Sequence, residues 1–429
     1  MQRVLGAAET RERFRQAETH FTRERVLSFE SVAVLILRGH KLSLQNALNK
    51  FFGALGEVFQ VPTTSAYCQA RQKIQPELFR HLNEVVRQDF YALYGGDGQV
   101  KLWHGHRVLG ADGTYVNLPD TPETRASFSV QSNQRAESER VQALASVLYD
   151  LRNDLGLDAT LGAKQAEKKA LFESHWAATQ PGDVLVLDRN YADYSVMAWA
   201  VKGGREVVIR FPRNRFTVVN PFWAADTQEQ LVTLSVPPKA RRFVKEHHLP
   251  RQVQLRLIKV VLGSGEIEVV GTTLLDQSRY PHTEFKEVYG WRWGEETYFD
   301  RIKNIFELER FSGSTLTAIN QDFYGVIFLA SLESVLTRPA QAALSTLSQQ
   351  RGCQTVAQVN RAVSYVALVD RVVELLADPR RSPEAVWAEL HHLFQTNPTR
   401  QRAGRKVDRP KLTHARRLWF QRYIKRIIA

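Results

Sequence analysis

Residues 183–188 read DVLVLD, and this stretch decides the fold expected for the centre of the chain. A short apolar run closed by a carboxylate is typical of a buried parallel strand whose carboxyl end opens on a site. Residues 206–211, EVVIRF, form a second such run, and residues 194–201 between them have the pattern of a crossover helix. The sequence therefore predicts an α/β core in which strands and helices alternate, with Asp188 at a strand end.

A second aspartate belongs to the first strand of this core. Residues 107–117, RVLGADGTYVN, are β-rich and carry Asp112 directly before a glycine. Residues 143–149 and 156–161 indicate two further strands, because both are short and rich in apolar residues. Two core strands are thus expected to present aspartates.

A different pattern follows the core strands. Residues 230–236, 252–262 and 266–275 are β-branched and largely alternate between apolar and polar, with Gly, Ser and Gly at 263–265 forming a hairpin turn. This pattern predicts an antiparallel β insertion. A short loop would have been enough to join the flanking elements, so the insertion is expected to have a role of its own.

Helical patterns precede and follow the core. Apolar residues at spacings of three and four run through residues 1–95 and return after Gly313. The predicted organisation is a helical N-terminal DNA-binding region at 1–98, a core at 99–211 and 282–313, the insertion at 212–281, and a helical C-terminal region with a basic tail at 314–429.

The charge of the chain points to a polyanionic partner. Lys and Arg number 58 against 45 Asp and Glu, a formal net charge of +13. Basic residues that neutralise phosphates gain affinity by releasing counterions, so nucleic acid is the first candidate. Residues 397–429 hold much of the excess positive charge, and Trp419, Phe420 and Tyr423 lie among the basic residues. This tail either contacts DNA or anchors a basic helix to the body of the protein.

A second basic segment lies in the N-terminal region. Residues 62–74 read PTTSAYCQARQKI, in which hydroxyl residues at 63–65 can cap a helix that then carries Arg71 and Lys73. This segment is either a capped surface helix or a small DNA-binding unit. In the second interpretation Arg71 and Lys73 approach a phosphate backbone or groove.

Compartment and membrane association can also be predicted. The chain has two cysteines, Cys68 and Cys353, and this number argues against a disulfide framework or a cysteine zinc site. The N-terminus lacks the apolar region of a signal peptide, and no apolar run approaches the length of a membrane span. We expect a soluble, cytoplasmic protein without membrane contact.

Residues 289–303, YGWRWGEETYFDRIK, carry the clearest functional pattern. On one regular α-helix, Tyr289, Arg292, Glu296 and Lys303 fall within about 60° of one another and form a polar stripe. Such a stripe is either an ordinary solvated face or a surface that suits a phosphodiester backbone, a metal ion and a stacked base.

Three carboxylates now lie at element boundaries, in the order strand Asp112, strand Asp188, helix Glu296. Oxygen ligands of this kind suit Mg²⁺, which keeps waters and substrate phosphates in its coordination shell. Two such ions can activate a water or a 3′ hydroxyl and stabilise the leaving oxygen of an in-line phosphoryl transfer. The order of the three residues favours this chemistry more than any one of them does.

The spacing Y-x2-R-x3-E-x6-K resembles the signature of the insertion-sequence-four family of bacterial DDE transposases. ADGTYVNLPDT at 111–121 and VLDRNYAD at 186–193 look like the segments that carry this family's two aspartates. PTTSAYCQARQKI and FELERFSG at 306–313 are also similar to its segments. The likeness extends over roughly residues 60–335.

The resemblance implies a ribonuclease-H-like catalytic core interrupted by the β insertion. By the family pattern, Asp112, Asp188 and Glu296 are catalytic and bind two Mg²⁺ ions, with Mn²⁺ as a substitute. Tyr289, Arg292 and Lys303 would hold the transposon-end backbone, including a flipped base.

Around such a site, Trp291 and Trp293 are either stacking platforms for that base or core residues, and their angular positions favour the core. The resemblance further implies binding to terminal inverted repeats and target DNA, a homodimer on DNA, cleavage through a hairpin, and a bacterial, nucleoid-associated location.

Two alternatives stay open at this point. A structure-selective nuclease on the same core would cleave without strand transfer. A non-catalytic, basic DNA-binding regulator explains the charge and the tail, but it leaves the three ordered carboxylates without a role.

Overall fold

The computed structural model describes residues 1–23, 25–39, 43–57, 59–96, 98–133, 138–163, 170–171, 173–262, 265–378 and 380–400. The predictions for most of the basic tail and for part of the turn at 263–265 lie outside these residues.

The chain forms two compact units. The helical unit comprises Met1–Phe90, Tyr115–Ala143 and the chain from Asp300 onward, and the sheet unit comprises Tyr91–Thr114 and Leu144–Phe299. The boundaries of these two units do not coincide with those of the four-part division predicted from the sequence. That division stays a prediction.

The strands of the chain, numbered in order, are β1 (Val108–Asn117), β2 (Ser129–Asn133), β3 (Ser138–Asp150), β4 (Leu155–Gly162), β5 (Val184–Leu187), β6 (Glu206–Phe211), β7 (Glu229–Ser235), β8 (Gln252–Val261), β9 (Ile267–Thr272), β10 (Ala357–Val359) and β11 (Pro398–Arg400). Strands β1 and β3 contribute residues to both units.

The helices are α1 (Gln2–Gly6), α2 (Ala8–Phe14), α3 (Phe29–Arg38), α4 (Leu44–Ala54), α5 (Thr64–Arg71), α6 (Glu77–Gly95), α7 (Pro122–Ser127), α8 (Tyr194–Lys202), α9 (Asn220–Ala224), α10 (Arg241–Glu246), α11 (Phe285–Gly290), α12 (Trp293–Asp300), α13 (Leu316–Gln350), α14 (Arg361–Leu376) and α15 (Pro383–Thr396). In addition, short 3₁₀ turns occur at His175–Ala178, Arg189–Tyr191, Thr217–Val219, Pro238–Ala240 and His282–Glu284.

The sheet unit is built on one mixed sheet in the order β4-β3-β1-β5-β6-β9-β8-β7. β3 and β4 are antiparallel, whereas β1, β5 and β6 run parallel to one another. β6 then pairs antiparallel with β9, and β9 and β7 both flank β8 antiparallel. This arrangement confirms the predicted α/β, ribonuclease-H-like core with a β-strand insertion.

The core of this unit follows directly from the apolar runs. All four residues of β5 are fully buried, as the sequence VLVL requires of a central strand. Two of them, Val184 and Val186, share a cluster with residues of β1, β6, β9 and α11, namely Val108, Val208, Val270 and Phe285. Through this cluster the insertion strands and α11 pack against the strands that carry the two aspartates.

The insertion differs from its prediction in one respect. It was expected to be antiparallel β structure alone, but the short helices α9 and α10 precede β7 and β8 respectively. α9 starts with a proline at its second position, where the missing N–H costs no helical hydrogen bond.

The helical unit is organised around α13, which packs against α3, α14, α15 and β10. Thr315 caps α13 by accepting a hydrogen bond from Ala318 N–H. In this unit β2 pairs antiparallel with the first half of β3. Within the described ranges, none of the helices is both long and apolar enough to cross a membrane.

Candidate active site

Asp112 and Asp188 lie at the same level on neighbouring strands. β1 and β5 are parallel, with Val108 opposite Val184 and Gly110 opposite Val186. Continuing this register by two residues places Asp112 opposite Asp188, just beyond the end of β5. Parallel strands are about 4.8 Å apart, so the two side chains project from adjacent positions at one edge of the sheet.

Local hydrogen bonds fix each aspartate. Asp112 Oδ1 accepts from the backbone N–H of Gly113 at 2.8 Å. Asp188 caps the following 3₁₀ turn, where its Oδ1 accepts from Asn190 N at 2.8 Å and its Oδ2 from Asn190 Nδ2 at 3.0 Å. Asp188 is therefore oriented by the turn that follows β5, whereas Asp112 is oriented within its strand. The prediction that Asp112 lies at an element boundary is wrong, because β1 continues to Asn117.

The third carboxylate, Glu296, lies on α12 and is joined to Asp112 through Arg292. Arg292 Nη2 is 3.0 Å from Glu296 Oε1, and Arg292 Nη1 is 3.9 Å from Asp112 Oδ2. Two of the three predicted catalytic carboxylates thus share one guanidinium. Glu296 itself is exposed, whereas the Arg292 side chain is only 12% exposed.

The single regular helix assumed for residues 289–303 is wrong. α11 ends at Gly290, α12 begins at Trp293, and Arg301–Ile305 form a π-helical turn. Glycine is a poor helix former, so Gly290 is a physical reason for the first break. The polar stripe is consequently assembled from separate segments, and Arg292 lies between two helices.

Electrostatics couple the three carboxylates. Burial raises the pKa of Asp112, and the charges of Asp188 and Glu296 raise it further, against the opposing effects of the Gly113 N–H and Arg292. The carboxylate charges therefore face a common region. Nearby like charges disfavour ionisation, and a cation placed among them would relieve that repulsion.

The oxygens of Asp112, Asp188 and Glu296 suit a hard divalent cation, because such cations prefer carboxylate ligands. Among the residues that the structure describes, no three carboxylate, histidine or cysteine side chains are close enough together to hold a metal ion as they stand. The positive charge that contacts two of these carboxylates is the guanidinium of Arg292.

A fourth carboxylate, Glu295, was missed by the sequence reasoning. Its side chain is buried, and neither carboxyl oxygen has a hydrogen-bond partner among the described residues. Burial raises the pKa of Glu295 well above its usual range, and the charges of Asp112 and Asp188 add to this effect. In the sequence it is simply the first of two adjacent glutamates, so no signal separated it from Glu296.

The aromatic residues around the site divide into buried and exposed ones. Tyr289 is 6% exposed and belongs to the core cluster, with its ring centroid 5.9 Å from the Arg292 guanidinium carbon. Trp291 is half-buried against Arg152 and Trp103. Trp293 is 60% exposed, which corrects the prediction that it packs in the core. Its ring faces the guanidinium of Arg292 at 5.3 Å.

Lys303 belongs to the helical unit. Its ammonium group donates a hydrogen bond to the carbonyl oxygen of Tyr115 at 2.5 Å. Burial lowers the pKa of Lys303, and Glu309 opposes that shift. The structure describes no contact that joins it to the three carboxylates.

Arg71 lies in the interior of the helical unit, and this corrects the prediction that it contacts DNA. Its guanidinium donates to Gln321 Oε1 at 2.7 Å, to Asp322 Oδ1 at 2.7 Å and to the carbonyl oxygen of Ala318 at 3.0 Å. A side chain only 4% exposed with these partners holds α5 against α13. Lys73, two residues further on, is half-buried and remains a candidate.

Comparison with known proteins gives three findings. A family model described as "Transposase DDE domain" matches residues 103–332. Transposase InsG for insertion sequence element IS4 of Escherichia coli (strain K12) is 24% identical over 271 residues, which cover 62% of this chain and 60% of that protein. The matched region thus spans less than two thirds of the relative's length. Both findings confirm the resemblance drawn from the signature.

The third finding concerns a solved structure, the cryo-EM structure of piggyBac transposase synaptic complex with hairpin DNA. It covers 91% of this chain and 84% of that chain, with 8% sequence identity and a TM-score of 0.44. A likeness at this level is too distant to support an inference.

Proposed function

The chain belongs to the transposase DDE domain family, and on that premise we propose that it is a cut-and-paste DNA transposase. It binds the terminal inverted repeats of its own element, cleaves the ends by metal-dependent phosphoryl transfer, and joins them to target DNA. The observation that carries the proposal is the matched register of Asp112 and Asp188, with Glu296 tied to Asp112 through Arg292.

The proposed catalytic residues are Asp112, Asp188 and Glu296, which would hold two Mg²⁺ ions, or Mn²⁺ in their place. The chemistry supplied by such ions is activation of a water or 3′ hydroxyl and stabilisation of the leaving oxygen. Local hydrogen bonds preset the orientations of both aspartates, from Gly113 N–H within β1 for Asp112 and from Asn190 N–H in the following turn for Asp188. Glu296 is exposed on its helix and can be approached by DNA.

Arg292 and Trp293 would hold the DNA beside these carboxylates. A guanidinium can pair with a phosphate in a bidentate manner, and an exposed indole offers a face on which a base can stack. Stacking on an aromatic side chain supplies about 1 to 3 kcal/mol per base, which offsets the cost of flipping a base out of a duplex. Tyr289, whose ring centroid is 5.9 Å from the guanidinium carbon of Arg292, would hold that side chain in place. Lys303 and Lys73 are proposed as further contacts to the DNA backbone.

Two finer steps belong to the same proposal. Cleavage proceeds through a hairpin on the transposon end, and two protomers pair two ends as a homodimer on DNA. A hydrolytic cut of the second strand without a hairpin product would exclude the first step, and strand joining by a monomeric complex would exclude the second.

Strand transfer is the experiment that tests this function. The end sequences can be read from the DNA that flanks the reading frame, where short inverted repeats bounded by a direct duplication are expected. Precleaved ends are then incubated with supercoiled plasmid and Mg²⁺, and joined products are expected on a gel.

The alternatives give different results in that assay. A structure-selective nuclease would cut the ends and give no joined product. A regulatory DNA-binding protein would bind the ends without any metal and leave them uncut.

A further inference from the structure

A cavity of about 360 Å³ in the helical unit lies among α1, α2 and the start of α3. Three arginines, Arg11, Arg23 and Arg25, line it together with the hydroxyl residues Thr22 and Ser28. The residues that line this cavity include none of the three carboxylates and none of the basic segment at 62–74.

The three guanidinium groups have no carboxylate partner among the residues that the structure describes. Neither Arg11 nor Arg23 nor Arg25 forms an ion pair there, and Arg23 and Arg25 are exposed. Arg11 Nε is fully buried and has no hydrogen-bond partner there. The unpaired guanidinium groups and this buried donor leave the region short of hydrogen-bond acceptors.

Charge and local structure favour an anion in the cavity. Its ionisable lining consists of the three arginines and one acid, Glu30, which lies beside Gly6; Glu24, between Arg23 and Arg25 in the sequence, lies outside the described residues. The cavity also borders the N-terminus of α3, where the Ser28 hydroxyl caps only the N–H of Ser31. The remaining amides of that first turn need acceptors, and the helix dipole favours negative charge there.

We propose that Arg11, Arg23 and Arg25 form a phosphate-binding pocket that holds one backbone phosphate of the DNA. Guanidinium groups bind phosphate through charge-assisted, often bidentate hydrogen bonds. The choice of DNA as the source of the phosphate rests on the proposed function. The phosphate chemistry itself rests on the pocket.

The test measures binding of a duplex of unrelated sequence by fluorescence anisotropy at several KCl concentrations. The Arg23→Gln/Arg25→Gln double variant should bind more weakly, and the slope of log affinity against log salt should fall by about 1, as expected for one lost phosphate contact. Arg3→Gln is the matched control, since Arg3 is exposed and lies outside the cavity lining. It should leave the slope at the wild-type value.

A second arm separates the two sources of phosphate. Inorganic phosphate should raise the thermal midpoint of the wild-type protein more than that of the double variant, at constant ionic strength. An unchanged salt slope in the double variant would overturn the assignment to DNA, whatever free phosphate does. If phosphate changed the thermal midpoint of neither protein, the claim that this pocket binds phosphate would be wrong. Neither readout needs cleavage, so failure here is distinct from failure of the transposase proposal.

Discussion

The carboxyl group of Glu295 lies directly against Gly110 of β1. A Cβ atom at position 110 would lie 2.5 Å from Glu295 Cδ and 2.6 Å from Oε1, closer than atoms can approach. Gly110 is therefore required by the side chain that faces it, two residues before Asp112 on the same face of the strand. The buried glutamate and the strand that carries the first proposed catalytic aspartate form one packed unit.

Gly110→Ala is expected to lower the free energy of unfolding by about 1 to 3 kcal/mol, as overpacking does. The added methyl must displace a side chain that has no solvent to move into. Glu295→Ala in the same chain should recover much of the loss, and thermal denaturation of the two single variants and the double variant measures this coupling. Strictly additive effects would show that the two residues do not share the space.

Glu295→Met is expected to stabilise the protein at pH 8, by about 1 to 3 kcal/mol. Because burial raises the pKa of Glu295, the unfolded chain loses this proton at about pH 4.3 while the folded chain keeps it. The unfolded state then binds fewer protons, so stability falls as pH rises from that point towards the folded pKa. The gain from Glu295→Met should therefore shrink as pH falls towards 4.3. Thermal midpoints in EDTA buffers measure it, and a gain independent of pH would contradict the buried, neutral carboxyl.

Arg71→Ala is expected to destabilise the helical unit by about 3 to 5 kcal/mol, because it leaves Asp322, which is only 11% exposed, without its positively charged partner. Lys73→Ala, the matched control, should leave the thermal midpoint unchanged and reduce the salt slope of DNA binding by about 1. If Arg71→Ala kept the wild-type midpoint and reduced the salt slope instead, Arg71 would be a DNA contact after all.

Trp293→Ala is expected to weaken the transposon-end complex by about 1 to 3 kcal/mol without lowering the thermal midpoint. Its side chain is 60% exposed, so its removal leaves no cavity. Trp293→Phe should retain most of the affinity. Trp291→Ala should instead lower the midpoint, since that ring packs on Arg152 at 4.0 Å. Equal effects of both alanine variants on stability would argue against a stacking role for Trp293.

The sequence predicted the central strands within a residue or two because their apolar runs are continuous. EVVIRF became β6 with the same bounds, and DVLVLD became β5 with Asp188 as the cap of the next turn. β2 was missed, since SVQSN is polar and shows no apolar alternation. The pattern of apolar residues thus identifies buried strands but does not identify polar strands such as β2.

Long-range contacts explain the other differences. Arg71 is 251 positions from Asp322, so nothing near it in the sequence indicated burial. Glu295 and Glu296 are adjacent and identical in type, and only packing against Gly110 places one inside and leaves the other exposed. The break at residues 291–292 follows Gly290, but the signature spacing fits a continuous helix equally well and so did not reveal it.

The central claim is that Glu296, with Asp112 and Asp188, is catalytic. Its most direct test is Mg²⁺-dependent nicking of a transposon-end duplex by Glu296→Gln, beside Glu295→Gln as the adjacent control. Glu296→Gln should bind the end normally and lose nicking by more than about 100-fold, since losing even the partners of metal ligands costs 10- to 100-fold. Glu295→Gln should nick close to the wild-type rate. Normal nicking by Glu296→Gln, or loss confined to Glu295→Gln, would contradict the assignment.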